Sequence, residues 1–233
     1  MVKFRILLQK LFKGCVIVMG KKKKTLPKNF DELIEAGDIS ALKEVFTQCE
    51  LDARGGFSKS TALSFSNIPD ELVRWLVQQG ADINAKDNYK RTPLHSQAMS
   101  WCGNVGLLLE LGADIEAVDY QNETPLHAAA GAFKPQAVQE LVAHGANINA
   151  ENNMKQTPLA KALSWCRNVD IVNMAEIARI LLDAGAVITL DMKESVKRIG
   201  KDFEFYKESF NKDLLAQTEE ALYKLYKSTF AHD

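Results

Sequence analysis

Apolar positions in this chain recur at helical spacing, in short paired bursts. Leu126, Ala129 and Ala130 share one face of a first predicted helix. Val138, Leu141 and Val142 follow at i, i+3 and i+4, which predicts a second helix with a buried stripe. The small alanines allow neighbouring helices to approach closely. Upstream, Phe30, Leu33 and Ile34 predict one helix, and Leu42, Val45 and Phe46 predict another after the turn at Gly37-Asp38. Asp38 or Ser40 is placed to cap the latter. Downstream, Val196, Ile199, Phe203 and Tyr206 keep helical spacing, as do Leu215, Leu222, Leu225 and Tyr226. Two terminal helices are predicted there, with a break near Phe210-Asn211. The aromatic stripe they carry reads as cap core.

The bursts are punctuated by a repeated phrase. It reads Thr92-Pro93-Leu94-His95, Thr124-Pro125-Leu126-His127 and Thr157-Pro158-Leu159-Ala160, with a weaker copy at Thr61-Ala62-Leu63-Ser64. The threonines lie 31, 32 and 33 residues apart (61 to 92, 92 to 124, 124 to 157). A second phrase alternates with the first: Gly80-Ala81-Asp82-Ile83-Asn84-Ala85, Gly112-Ala113-Asp114-Ile115-Glu116-Ala117, Gly145-Ala146-Asn147-Ile148-Asn149-Ala150 and a truncated Gly185-Ala186-Val187-Ile188. A period near 33 residues marks a stacked array, and such arrays usually bind rather than catalyse.

Each part of the phrase has a local physical role. The threonine caps a first helix, and the proline stands in its first turn, where a missing N–H costs nothing. Ile83, Ile115 and Ile148 point into the stack. The glycine stops the second helix in the left-handed conformation that helix ends favour.

These residues resemble the ankyrin repeat, in which a hairpin precedes Thr-Pro-Leu-His and the second helix ends in Gly-Ala. The likeness runs from about residue 29 to residue 188. It implies an all-α repeat solenoid with β-hairpin loops and helical caps. It further implies that His95 and His127 join hairpin and helix hydrogen bonds between repeats, rather than serving catalysis or a metal. The expected division is a leader at 1–27, a repeat domain at 28–190 and a helical cap at 191–233. Within the repeat domain fall an N-terminal cap at 28–50 and repeats at 51–82, 83–114, 115–147 and 148–188. The run from Val196 to Phe205 is similar to the tail of small bacterial ankyrin-repeat proteins.

Three departures from the pattern are visible. Lys59, Lys90, Asn122 and Lys155 replace the hairpin glycine, and lysine enters positive φ less readily than asparagine, so altered tips are expected. The threonine-to-glycine offset is 19 (61 to 80), 20 (92 to 112), 21 (124 to 145) and 28 (157 to 185). Shortened inter-helix turns are expected in the first two repeats. An insertion of seven (28 against 21) is expected within Cys166–Met174. It forms either a loop on the binding face or a longer helix pair that shields the last core layer.

Composition changes the picture little, but charge does. The chain has 233 residues, of which 46% are hydrophobic, and a solenoid needs no single large core. Residues 1–28 carry nine Lys/Arg and no acid, residues 29–190 carry 12 bases and 21 acids, and residues 191–233 carry 8 and 9. These sum to the net −1 of the whole chain (9 − 9 − 1). The acidic body argues against a nucleic-acid surface on the repeats. Cys15, Cys49, Cys102 and Cys166 form no CxxC, and a reducing, cytoplasmic setting is expected. Cys102 and Cys166 share the phrase Ser-Trp-Cys, which suggests buried helix positions for both. The sequon Asn122-Glu123-Thr124 is a by-product of the repeat's own threonine.

Phe4, Leu7, Leu8, Leu11, Phe12 and Cys15 form an apolar face opposite Arg5, Gln9, Lys10 and Lys13. That is a basic amphipathic helix of the kind used at anionic membrane surfaces, with Lys21–Lys24 adding to the attraction. It is too interrupted to span a bilayer and lacks a cleavage site for export. Alternatively Met19 is the start, leaving a solvated leader; a myristoylation match then fails at Lys24.

Ankyrin arrays bind proteins through hairpin tips and the inner face of the first helices. Carried over by position, this implies a partner surface made of Phe57 and Ser58; Asn88, Tyr89, Arg91, Met99 and Ser100; Tyr120, Gln121 and Glu123; and Asn153, Met154, Gln156, Ser164 and Trp165. Each tip offers one large apolar or aromatic residue: Phe57, Tyr89, Tyr120 and Met154. Trp101 and Trp165 lie near the same ledge or pack between helices. The expectation is a monomeric, non-catalytic module for an unidentified protein partner, with no cofactor or metal and no nucleic acid. Membrane contact is expected only through residues 1–24. The alternatives are a membrane-linked scaffold, or an inhibitor that neutralises a toxin or enzyme. No nucleotide loop, nucleophile elbow, metal spacing or paired carboxylate supports catalysis.

Overall fold

Two layers of helices build up from the repeated caps. The structure is a computed structural model and describes residues 21–230. The N-terminal cap is a helix pair, α1 (Phe30–Ala36) and α2 (Ile39–Gln48). Asp38 caps α2, its Oδ1 accepting from the N–H groups of Ser40 and Ala41 at 2.9 and 3.1 Å. A small sheet follows. β1 (Lys23–Thr25) pairs parallel with β2 (Cys49–Gly55), which pairs antiparallel with β3 (Ser60–Thr61). Lys22 Nζ donates to the Phe46 carbonyl at 2.7 Å, and Leu26 is buried. The packed cap therefore begins by Lys22, ahead of the boundary expected at Lys28. Residues 1–20, which carry the amphipathic pattern, lie outside the described residues.

The helices then alternate between layers. α3 (Asp70–Gln78) leads to the pairs α4 (Pro93–Ala98) with α5 (Val105–Glu110), α6 (Pro125–Gly131) with α7 (Pro135–Ala143), and α8 (Pro158–Trp165) with α9 (Ile171–Asp183). The last pair is α10 (Leu190–Tyr206) with α11 (Lys212–Phe230). The inner layer stacks α4, α6, α8 and α10 in order; the outer layer stacks α5, α7, α9 and α11. One continuous core runs between the layers, from Phe30 and Leu42 through Leu94, Leu126 and Leu159 to Phe203 and Leu225. The C-terminal cap thus continues both layers of the stack. Ile83, Ile115 and Ile148 pack against the core while half-buried.

Gly80, Gly112, Gly145 and Gly185 all adopt positive φ, between 84° and 97°. At each one the glycine N–H and the following alanine N–H return to the helix end, for example Gly145 to the Val142 carbonyl and Ala146 to that of Leu141, both at 3.0 Å. Lys59, Lys90, Asn122 and Lys155 also take left-handed φ, from 57° to 60°. The expected change in tip geometry does not occur; the turn imposes its conformation on the lysines.

Three expectations are corrected, and of the two forms expected for the insertion the longer helix is the one present. The short first repeat loses its inner helix, which is a 3-10 turn at Ala62–Ser64, and in the second repeat α4 and α5 have six residues each. The deficit comes out of the helices as well as their turns. The insertion is no protruding loop: α9 has 13 residues against nine in α7, preceded by a 3-10 turn at Asn168–Asp170. Cys102 is exposed whereas Cys166 is buried. α4 ends before Trp101, which leaves Cys102 in the turn, while α8 runs to Trp165 and holds Cys166 against the core. Burial pushes the Cys166 thiol up to about 12. Finally, Tyr206 is exposed, because Phe210 fills the space beside Phe203, with ring centroids 5.7 Å apart. Phe205 is exposed beside Tyr206, and Tyr223 also faces solvent.

Candidate partner-binding face

The tips are built by a buried acceptor that the sequence analysis did not single out. Asp87, Asp119 and Asn152 each stand five residues before the repeat threonine. Asp87 Oδ1 accepts from the N–H groups of Tyr89 and Arg91 at 2.7 and 2.9 Å. Asp119 Oδ1 accepts from Gln121 and Glu123 at 2.8 and 3.0 Å. Asn152 Oδ1 accepts from Met154 and Gln156 at 2.9 and 3.0 Å. All three side chains are buried. Such side-chain acceptors hold a turn rigid without help from neighbours. The periodic Asp/Asn was a legible signal. The first tip has Gly56 there instead, with φ 65°.

Backbone bonds then tie tip to tip. Asn88 N–H donates to the Ser58 carbonyl at 3.0 Å, Tyr120 N–H to Tyr89 at 3.1 Å and Asn153 N–H to Gln121 at 2.9 Å. The row of large side chains is exposed along this ledge: Phe57 89%, Met154 57%, Tyr120 55% and Tyr89 36%. The Tyr89 and Tyr120 rings lie 6.0 Å apart, tilted by 48°.

Behind the tyrosine pair is a cavity of about 350 Å³. Tyr89, Arg91, Met99, Tyr120, Gln121 and Glu123, all expected at the surface, line it together. So do His95, Asp119, Lys161 and a floor of Ala128, Gly131 and Ala132. The floor needs small residues. A Cβ on Gly131 would meet Lys161 Cε at 2.7 Å, in the path by which that lysine reaches Glu123. Phe57 and Ser58 line a separate cavity beside the N-terminal cap. Ser100 lines a third with Trp101, whose ring carries Lys134 Nζ 3.3 Å from its centroid. Asn88, Asn153, Met154, Gln156, Ser164 and Trp165 line none of these three cavities. Trp101 and Trp165 are both largely exposed, not packed between helices.

Charges within the face are mostly committed. Arg91 Nη2 pairs with Asp87 Oδ2 at 3.1 Å, donates to Ser58 Oγ at 3.2 Å, and holds its Cζ 4.8 Å from the Tyr89 centroid. Glu123 differs from the expectation of an exposed contact. It is buried, ion-paired with Lys161, and accepts from Asn152 Nδ2 at 3.2 Å. Burial forces this, since an unpaired internal carboxylate is costly.

The histidines stitch the repeats. His95 Nδ1 accepts from the Thr92 N–H at 3.2 Å, and Nε2 lies 2.9 Å from the Glu123 carbonyl of the next repeat. His127 repeats this with Thr124 at 3.2 Å and the Gln156 carbonyl at 3.0 Å. Burial lowers the pKa of both imidazoles, opposed by those carbonyl bonds. With both nitrogens occupied, neither ring is placed as a base or a ligand.

Family models for ankyrin repeats match residues 69–105 and 98–192, the latter as three copies. The chain belongs to the ankyrin-repeat family. Ankyrin repeats are generally protein–protein interaction modules and typically non-catalytic. No curated protein matches this ankyrin-repeat chain. Among the described residues no cluster of three His, Cys, Asp or Glu side chains is arranged to hold a metal. None of the described helices is long and apolar enough to cross a membrane.

Proposed function

We propose that this ankyrin-repeat chain is a monomeric, cytoplasmic, non-catalytic module that holds a partner protein on the ledge of tips and the inner helices α4, α6 and α8. The observation that carries the reading is the Tyr89–Tyr120 pair, exposed above a cavity and fixed from beneath by Asp87 and Asp119. Aromatic residues on a preorganised support bind at little entropic cost and are typical hot spots. The acidic repeats favour a partner with basic patches. The test is affinity capture from extract of the source organism with the full chain and its Tyr89→Ala/Tyr120→Ala variant. A protein held by the wild type and lost from the variant, at an unchanged melting temperature, supports the reading. A protein held equally by both overturns the placement on this face.

A further inference from the structure

Repeat two contains its own bound cation. The Arg91 guanidinium rests on the Tyr89 ring and against Asp87 Oδ2, in a tip whose Asp87 Oδ1 holds the turn. Repeat three has the same carboxylate in the same role, Asp119, with Oδ1 holding Gln121 and Glu123. The residue equivalent to Arg91 is here Glu123, four residues after the repeat acid in both tips (87 to 91, 119 to 123). Glu123 turns away to Lys161 and Asn152. Asp119 is thus left without an ion pair among the described residues, although it is 9% exposed and lines the cavity.

The charge balance of the cavity follows. Its two cations are already matched, Arg91 by Asp87 and Lys161 by Glu123. The one charge left over is the Asp119 carboxylate. Beside it stand the Tyr89 and Tyr120 rings, with the thioether of Met99 and the floor of Ala128, Gly131 and Ala132. A carboxylate flanked by aromatic faces suits a planar, delocalised cation better than a compact ammonium, because a guanidinium can donate to the acid while stacking on a ring.

We infer that this cavity is an arginine seat: it takes the guanidinium of an arginine side chain on the partner protein, which pairs with Asp119 beside Tyr120 as Arg91 pairs with Asp87 beside Tyr89. The inference rests on the ledge of tips and inner helices being the partner surface and names the chemistry of its central contact. Asn152 does the turn-holding work of Asp119 one repeat later with an amide oxygen. Asp119→Asn therefore removes the charge and keeps the tip.

The experiment is an NMR titration of the isotope-labelled full chain with N-acetyl-arginine amide, at low ionic strength, beside its neutral isostere N-acetyl-citrulline amide. The expected result is a set of saturating shifts confined to the amides around Tyr120, Gln121 and Gly131, with a dissociation constant of roughly millimolar order for so small a molecule. Citrulline amide, and arginine amide on Asp119→Asn, are expected to bind at least ~10-fold more weakly. Tyr120→Leu is a second variant that leaves the turn bonds intact and is expected to weaken binding several-fold. Shifts that are absent, spread over the acidic body, or unchanged in Asp119→Asn and Tyr120→Leu overturn the arginine seat. The broader reading is judged separately, since a partner captured by the wild type and lost from Tyr89→Ala/Tyr120→Ala keeps the ledge of tips as the partner surface even when arginine amide fails.

Discussion

His95 reaches out of its own repeat, its Nε2 lying 2.9 Å from the carbonyl oxygen of Glu123 while its Nδ1 takes the Thr92 N–H. One side chain thus caps a helix and bolts two repeats together. His127 does the same one layer on. In a stack whose stability is a sum of neighbour terms, these bolts are coupling elements. His95→Ala leaves a buried donor set unpaired and a cavity, so a loss of about 2–4 kcal/mol is expected in urea unfolding.

The same two rings set a pH dependence. Burial lowers their folded pKa below the ordinary 6.5. Below that ordinary value the unfolded chain binds protons that the folded chain refuses, so stability is full above about 6.5 and falls as the pH drops through the depressed folded value. The melting temperature is expected to decline from pH 7.5 to 5.5. In His95→Ala/His127→Ala that decline is expected to flatten, from a lower starting point. An undiminished slope in the double variant would place the titrating groups elsewhere.

The thiols offer a check on burial. Cys102 is exposed in the turn after α4, whereas Cys49 and Cys166 are buried and Cys166 is further held as a thiol by its raised pKa. Under native conditions at pH 8, a maleimide is expected to label the Cys102 peptide within minutes. Of these three, Cys49 and Cys166 are expected to label only on unfolding, as mapped by peptide mass.

The phrases that were legible are those whose cause is local. A threonine cap, a proline in the first turn and a glycine at a left-handed helix end need only a few neighbours, and all three recur where the spacing placed them. What was hidden depends on distant partners. β1 is a run of lysine and threonine that reads as a solvated leader until Cys49 and Arg54 pair with it. Glu123 looks like a tip contact until Lys161, 38 residues on, closes over it. The phrase Ser-Trp-Cys is identical in two repeats, yet the end of the preceding helix decides which cysteine is buried. The offset of 19 gave the missing length of repeat one but not its place, since a three-residue turn carries no periodicity to read.

The lysines at the tips store conformational strain. Lys59, Lys90 and Lys155 hold φ near 58° where a Cβ meets the following carbonyl. Relief of that contact is worth about 1–2 kcal/mol per site, and the added freedom of glycine in the unfolded chain takes back roughly 0.5–1. Lys59→Gly and Lys90→Gly are therefore each expected to stabilise by about 0.5–1 kcal/mol, and to add because the tips are separate. A melting temperature lowered by either change would show that the lysine side chains contribute more than their backbone costs.

The weakest copy of the repeat leaves a specific defect. Thr61 Oγ1 is buried with no hydrogen-bond partner, whereas Thr92 Oγ1 and Thr124 Oγ1 each lie 2.9 Å from a histidine Nδ1. The reason is in the phrase itself: Ser64 stands where His95 and His127 stand, and its side chain is too short to reach back. An unsatisfied buried hydroxyl costs about 1–3 kcal/mol. Valine has the shape of threonine without that oxygen. Thr61→Val is therefore expected to stabilise the chain by about 1 kcal/mol, while Thr92→Val, which removes the hydroxyl bonded to His95 Nδ1 and leaves that nitrogen only the Thr92 N–H, is expected to destabilise it by about 1 kcal/mol. The two substitutions are chemically identical, so a common sign in chemical denaturation would sink the account, and opposite signs would tie the difference to the histidine.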